Sequence, residues 1–157
     1  HLDRVSMPKV LSAEDIEVFP EAIPPFFTPI PGETAQVRTA YLLTHVPPVC
    51  WNDFNGMIDI QGELQGSICF SAPRAMLSHV LLKMGEEVFT EDRHADMVGE
   101  IANTLAGRAR RHFGESLAIT PPRLVSRNAP ESIAACASSY AIPLTWHGYE
   151  ADLVIQL

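Results

Sequence analysis

The stretch DMVGEIANTLAG, residues 96–107, places four chemically distinct residues on one side of a helix. An α-helix advances about 100° per residue. Asp96, Glu100, Asn103 and Gly107, spaced at i, i+4, i+7 and i+11, therefore form a single row. Glu100 and Asn103 can reach the same point in front of the helix. The row thus offers a carboxylate and an amide at a fixed separation, which is what a preorganised site requires.

The other two members of the row, Asp96 and Gly107, are unusual for a helix. Asp96 and Glu100 repel each other at i,i+4 unless a cation comes between them. A glycine inside a helix costs about 1 kcal/mol relative to alanine, and Gly107 would let another surface approach closely. The alternative interpretation is a solvated polar face, because exposed helix faces are normally polar and short motifs occur by chance. The residues alone leave both interpretations open.

Composition limits the class of protein. The 157 residues fit one domain, and 46% hydrophobic with 19% charged residues is a globular composition. A formal net charge of −8 argues against nucleic acid or an anionic membrane as a partner, and no apolar run is long enough to span a bilayer. Three cysteines without a CxxC pair indicate reduced thiols and no zinc site, as is typical of a cytoplasmic protein.

The elements that must position the row follow from hydrophobic periodicity. Thr90 is expected to cap the N-terminus of the helix that carries the row, and Gly114 to stop it. A second helix is predicted before it, with Pro73 in its first turn and Gly85 at its end. The helix with the row also has an apolar stripe that must face the core, formed by Val98, Ile101, Ala102, Leu105 and Ala109.

Strands are predicted on both sides of the two helices. Residues 36–46 are rich in β-branched and aromatic residues, and residues 57–70 alternate like a β-hairpin. Residues 116–126 are predicted to be extended around a Pro-Pro pair. Residues 140–157 predict a second hairpin, in which Pro143 would place the first arm at an edge or a bulge.

The order of these elements predicts an α+β fold. We expect a mainly antiparallel β-sheet with two long helices packed on one face, in a single domain over residues 1–157. Residues 1–34 are rich in proline and predict a kinked helical segment. His79 is expected to be structural, because the histidines lack metal-ligand spacing. Residues 52–56, NDFNG, are expected to form a turn.

The stretch DMVGEIANTLAGRARRHFG resembles the signature helix of the CheC/CheX/FliY family of response-regulator phosphatases. That signature is Asp or Ser, three residues, Glu, two residues, Asn, and then a small residue followed by Gly. The chain carries one copy, as CheX-like members do, and residues 54–87 also look like the family's strand, turn, strand and helix. The residues that match the signature are Asp96, Glu100, Asn103, Ala106 and Gly107.

The resemblance implies an activity. Members of the family hydrolyse the aspartyl-phosphate of a CheY-like receiver domain in two-component or chemotaxis signalling. Glu100 would pair with a lysine of the receiver and Asn103 would orient the attacking water, while Asp96 and Gly107 would support them. The receiver would bring its own Mg²⁺, so the chain itself needs no metal or cofactor. CheX relatives form dimers, and a homodimer is expected here.

Two alternatives stay open at this stage. The first is a non-catalytic module of the same fold, which docks a receiver or a flagellar signalling partner, since a fold does not imply an activity. The second is a structural dimerisation domain whose polar row is only solvated. The family usually has a proline further after the Asn than Pro121 and Pro122 lie here, so the loop downstream of the helix is expected to differ.

Overall fold

The structure, a computed structural model, describes residues 52–126 and 139–156, together with the strand backbone at Gln36–Val37 and Tyr41–Leu43. The predicted kinked helix within residues 1–34 lies outside the described residues.

The described residues form eight strands and two helices. In chain order they are β1 (Gln36–Val37), β2 (Tyr41–Leu43), β3 (Phe54–Gln61), β4 (Gly66–Ala72), α1 (Arg74–Lys83), α2 (Glu91–Phe113), β5 (Ala118–Ile119), β6 (Arg123–Leu124), β7 (Ser139–Trp146) and β8 (Tyr149–Gln156). Both predicted helices, both predicted hairpins and the extended segment around the Pro-Pro pair are confirmed.

All strand pairs among the described residues are antiparallel. The strand order is β1-β7-β8-β4-β3-β5, with β2 also pairing β7 and β6 also pairing β3. Helix α2 lies across β3 and β4, and α1 packs against α2 and β8. The predicted α+β fold, with two helices on one face of an antiparallel sheet, is therefore confirmed.

The turn predicted at residues 52–56 is wrong for its second half, because β3 already begins at Phe54. Asn55 pairs with Ser71 and Gly56 pairs with Phe70 in the β3–β4 register. The Asn and Gly types favour a turn locally, but pairing along the whole of β4 decides the conformation.

The edge position predicted for Pro143 is wrong, because β7 lies inside the sheet. The alternative, a bulge, agrees with the register on the side of β1 and β2, where four steps from Val37 to Tyr41 oppose three steps from Leu144 to Ala141. Pro143 lies within this irregular stretch. It pairs in unbroken register with Asp152 of β8. On the other side of β7, strand β1 pairs with Leu144 and Thr145, whereas β2 pairs with residues 139–141. Pro143 thus lies between the segments that the two short strands pair.

Helix α2 has the ends and the buried stripe that its sequence predicts. Thr90 accepts a hydrogen bond from the backbone N–H of Arg93 at 3.3 Å, and Gly114, with φ of 133°, follows the last residue. The five residues of the predicted stripe are at most 2% exposed: Val98, Ile101, Ala102, Leu105 and Ala109.

A glycine of β3 allows α2 to lie directly on the sheet. A Cβ built at Gly56 would stand 2.9 Å from the backbone oxygen of Val98, which is too close for any side chain. The backbones of β3 and α2 can therefore approach closely only where β3 lacks a side chain. This contact and the buried stripe together fix the side of α2 that faces away from the core.

Buried His94 ties the first turns of α2 to the rest of the core. Its Nδ1 lies 2.6 Å from the carbonyl oxygen of Thr90, and its Nε2 lies 2.7 Å from the hydroxyl of Ser78 in α1. Because a carbonyl only accepts, Nδ1 donates and Nε2 accepts from the serine. The ring also stacks on Phe54 with centroids 5.3 Å apart. His94 is thus a structural residue with both nitrogens satisfied.

Candidate functional site

Three of the four residues in the predicted row line a cleft of about 680 Å³. Asp96, Glu100 and Asn103 are exposed on the side of α2 opposite its buried stripe. Gly107 is half-buried, is not part of the cleft wall and lies one helical turn beyond Asn103. Among the described residues, a Cβ at Gly107 would meet no atom within 4 Å outside its own stretch of helix. The structure thus brings the carboxylates and the amide together and leaves open space beside the glycine.

Residues 119–124 form the opposite wall of the cleft, which we call the β5–β6 wall. Its surface is largely apolar, since it includes Ile119, Pro121, Pro122 and Leu124. At Gly99 of α2 a Cβ would lie 3.5 Å from the Cγ of Pro122, so the loop rests against the helix there. The sequence indicated that this segment is extended but not that it faces the row.

One end of the β5–β6 wall is held by Asp59 of β3. The backbone N–H of Asp59 donates to the hydroxyl of Thr120 at 2.9 Å, and the N–H of Thr120 donates to the carbonyl of Asp59 at 3.0 Å. The carboxylate of Asp59 also accepts from the guanidinium of Arg123 at 2.5 Å. A second guanidinium nitrogen of Arg123 lies 3.1 Å from the sulfur of Met57. One strand residue therefore fixes two positions of the wall.

The other end of the wall is held by Asn55. Its backbone carbonyl accepts from the N–H of Val125 at 3.0 Å, and its side-chain amide donates to the carbonyl of Val125 at 3.2 Å. The same amide donates to the carbonyl of Asn52 at 2.9 Å. Asn55 is only 1% exposed, so these bonds are shielded from water. Asn55, which the sequence predicts to lie in a turn, thus holds the segment that follows Leu124 in place through hydrogen bonds.

The cleft carries excess negative charge. Asp96 and Glu100 line it, and Arg123 is the one Lys or Arg residue among those that line it in the described structure. Arg123 is already bound to Asp59. A cleft with two carboxylates, one amide and an apolar facing wall favours binding of a cation. It disfavours an anion that is not accompanied by a cation.

Other candidate chemistry is not supported in the part of the chain that the structure describes. No group of three or more His, Cys, Asp or Glu side chains is placed to hold a metal ion there. His79 packs edge-on against Trp146, with ring centroids 4.9 Å apart, in the structural role expected of it. None of the described helices is long and apolar enough to cross a membrane.

Known structures share this architecture. A CheX chemotaxis protein from Desulfovibrio desulfuricans matches with a TM-score of 0.75 and 18% identity, over 92% of this chain and 99% of that chain. A chemotactic CheC-like protein from Shewanella oneidensis MR-1 matches with a TM-score of 0.76 and 18% identity, over 93% and 99%. A chain of the CheX–CheY–BeF3–Mg²⁺ complex from Borrelia burgdorferi matches with a TM-score of 0.67 and 18% identity, over 90% and 96%. At these identities the matches establish the fold.

The family itself follows from the sequence match. No curated protein matches the chain significantly. Residues 54–145, more than half of the chain, match the model of the family described as chemotaxis phosphatase CheX. This match spans β3, both helices, the cleft and most of β7. With the row on α2 and the shared fold, it shows that the chain belongs to the CheX family.

Proposed function

We propose that the protein is a phosphatase that hydrolyses the aspartyl-phosphate of a CheY-like receiver domain in two-component or chemotaxis signalling. One observation carries the proposal: in a chain of the CheX family, Glu100 and Asn103 stand exposed together on the wall of an acidic cleft. In this proposal, Asn103 orients the attacking water and Glu100 pairs with a lysine of the receiver. Asp96 adds negative charge beside Glu100.

The reaction requires positioning more than covalent chemistry from this chain. The water oxygen forms a bond to phosphorus, and the bond from phosphorus to the aspartate oxygen breaks. The products are inorganic phosphate and the free aspartate of the receiver. Asn103 suits the water because an amide both donates and accepts hydrogen bonds at any physiological pH. A carboxylate in the same place would repel the phosphoryl group.

The acidic cleft supports a partner that brings positive charge with it. Two carboxylates beside a phosphoryl group would be unfavourable unless cations stand between them. A receiver lysine beside Glu100 would supply one such cation, and the Mg²⁺ that we expect on the receiver would neutralise the phosphoryl oxygens. Glu100 is therefore useful as an anchor for the partner rather than as an acid or base.

The choice of a CheY-like receiver as substrate is supported by the family and by one relative. The matched Borrelia burgdorferi structure is a complex of CheX with CheY, BeF3 and Mg²⁺. We extend that class of partner to this chain, whose cleft has charge complementary to a lysine. The homodimer expected from the sequence stays a prediction.

The proposal is tested by following phosphate release from a Mg²⁺-loaded, acyl-phosphate-labelled receiver from the same genome. We expect wild type to accelerate release, and Asn103→Ala to lower kcat by about 100-fold, because a misplaced water loses most of the benefit of orientation. Thr104→Ala is the matched control. Thr104 is the next residue of α2, is exposed and does not line the cleft.

Each outcome of this experiment decides one statement. If wild type is no faster than the receiver alone, the chain is not a phosphatase for that class of substrate. Tight binding without acceleration would then identify a non-catalytic adaptor. If wild type is active and Asn103→Ala is equally active, Asn103 does not orient the water. An equal loss in Thr104→Ala would point to damage of the helix instead.

A further inference from the structure

Leu124 of β6 is an exposed leucine, whereas the leucines in the central strands β7 and β8 of the same sheet are buried. Its relative exposure is 54%, whereas Leu144 and Leu153 in the central strands are 0% exposed. A single exposed leucine on a protein surface is ordinary and needs no explanation. The position of Leu124, rather than its exposure, makes it informative.

The register of β6 places Leu124 on the helix side of the sheet. Leu124 pairs with Gly56, the residue that lies against α2, and Arg123 pairs with Met57. Successive strand residues point to opposite faces, and Arg123 reaches Asp59 on the face away from the helices. Leu124 therefore borders the cleft on the wall opposite the one that Glu100 and Asn103 line.

Leu124 differs from the other exposed apolar side chains in this respect. Of the five large exposed hydrophobic residues among those described, Leu124 alone lines the cleft. The other four lie on α1 or on the connection from α1 to α2: Leu82, Met84, Val88 and Phe89.

The segment that carries Leu124 is held in place before any partner arrives. Hydrogen bonds from Asp59 and Asn55 fix residues on both sides of it, and Pro121 and Pro122 restrict the loop between. A surface that is already ordered loses little conformational entropy on binding, so contacts made there contribute more to affinity.

We propose that Leu124 is a docking residue that contacts an apolar side chain of the receiver domain beside its phosphorylated aspartate. This rests on the proposed function, since a receiver whose lysine meets Glu100 and whose phosphoryl group meets Asn103 must also cover the facing wall of the same cleft. The polar row then acts on the reacting group, and the β5–β6 wall adds to the affinity for the receiver. Leu124 is a binding residue and takes no part in the chemistry.

The test measures receiver affinity and turnover separately. We expect Leu124→Ser to weaken binding of a receiver loaded with BeF3 and Mg²⁺ by about tenfold, the effect of losing one buried apolar side chain at an interface. At saturating phosphorylated receiver, kcat should stay within about twofold of wild type, because binding alone is affected. Leu124→Met, which keeps the apolar contact, should bind like wild type.

Leu82→Ser is the matched control, since Leu82 is 61% exposed on α1 and does not line the cleft. It should leave binding unchanged, and all variants should unfold at the temperature of wild type. Wild-type activity together with equal binding of Leu124→Ser would overturn the docking role while the phosphatase function stands. A wild type that neither binds nor dephosphorylates the receiver would instead refute the proposed function, and the docking role with it.

Discussion

The two walls of the cleft are built in opposite ways. The α2 wall is polar and belongs to one helix of 23 residues, whose other side is buried in the core. The β5–β6 wall is largely apolar and belongs to two strands of two residues each, joined by the Pro-Pro loop. The wall with the proposed chemistry therefore stands on the longest of the described elements, and the wall with the proposed docking contact stands on two of the shortest.

The interactions that position the two walls also differ in the sequence separation of the residues they join. Helix periodicity sets the direction of the α2 row, and Gly56 sets how closely α2 meets the sheet. The β5–β6 wall is positioned by Asn55 and Asp59 through bonds that join residues 61 to 70 apart in sequence. The residues proposed for the chemistry are thus placed by local sequence, whereas the wall proposed for docking is placed by long-range hydrogen bonds.

The largest effect is expected from reversing charge on the polar wall. Glu100→Lys places like charges together where a receiver lysine is proposed to bind, and we expect receiver affinity to fall by about 100-fold. Affinity of wild type should fall as salt is raised, and the variant should lose that dependence. Isothermal titration calorimetry at low and high salt measures both.

Glu63→Lys makes the same change of net charge away from the cleft. Glu63 is exposed in the turn between β3 and β4. If its charge reversal weakens binding as much as that at Glu100, the effect comes from the overall charge of the protein, and the specific pairing of Glu100 is wrong.

A substitution at Gly56, which lies against α2 on its buried side, should lower the stability of the fold. Gly56→Ala forces a Cβ against the backbone of Val98, and overpacking of this kind lowers the free energy of unfolding by about 2 kcal/mol. Urea denaturation measures it. Because α2 would shift away from β3, phosphatase activity should fall as well. Unchanged stability would mean that the close approach of α2 to β3 does not fix the helix.

The difference between the walls explains how much the sequence could predict. The cap at Thr90, the stop at Gly114 and the polar row are properties of neighbouring residues, so periodicity was sufficient for them. The roles given to Glu100 and Asn103 came from the family resemblance, not from geometry. The local preference of Asn55 predicts a turn, whereas its pairing with Ser71 depends on a strand more than ten residues away in sequence.

The β5–β6 wall could not be derived in the same way. The stretch around the Pro-Pro pair predicted an extended segment, but nothing local showed that Asp59 and Asn55 would hold it beside α2. Pro143 shows the same limit of local sequence. Its residue type predicts an exception in the sheet, but not that β1 and β2 pair with β7 on either side of it. Contacts between distant segments determined every feature that the sequence reasoning missed.

A smaller effect is expected from removing an ion pair that holds the β5–β6 wall in place. Asp59→Ala removes the carboxylate that binds Arg123, and we expect receiver affinity to fall by about fivefold, since the wall is then less ordered before binding. The pair is 38–39% exposed, so the free energy of unfolding should fall by about 1 kcal/mol or less. Calorimetry and thermal unfolding measure the two effects.

Glu115→Ala is the control for Asp59→Ala, because it removes an exposed partner of Arg110 outside the cleft. It should leave receiver affinity unchanged. Equal affinities for wild type and Asp59→Ala would show that the wall keeps its position without this ion pair, or that the wall does not contact the receiver.

The smallest effect is expected at Gly107, where the helix continues past the cleft. A Cβ there meets no other atom of the described chain, so Gly107→Ala should raise the free energy of unfolding by about 0.5–1 kcal/mol through helix propensity. If the receiver approaches α2 closely at this point, the same variant should bind it about twofold more weakly, because the added methyl group occupies the contact. Arg108→Ala, at the adjacent exposed position, should leave affinity unchanged. If Gly107→Ala is more stable than wild type and binds the receiver with wild-type affinity, the receiver does not contact α2 at Gly107. The contacts with the α2 wall would then be made by Asp96, Glu100 and Asn103 alone.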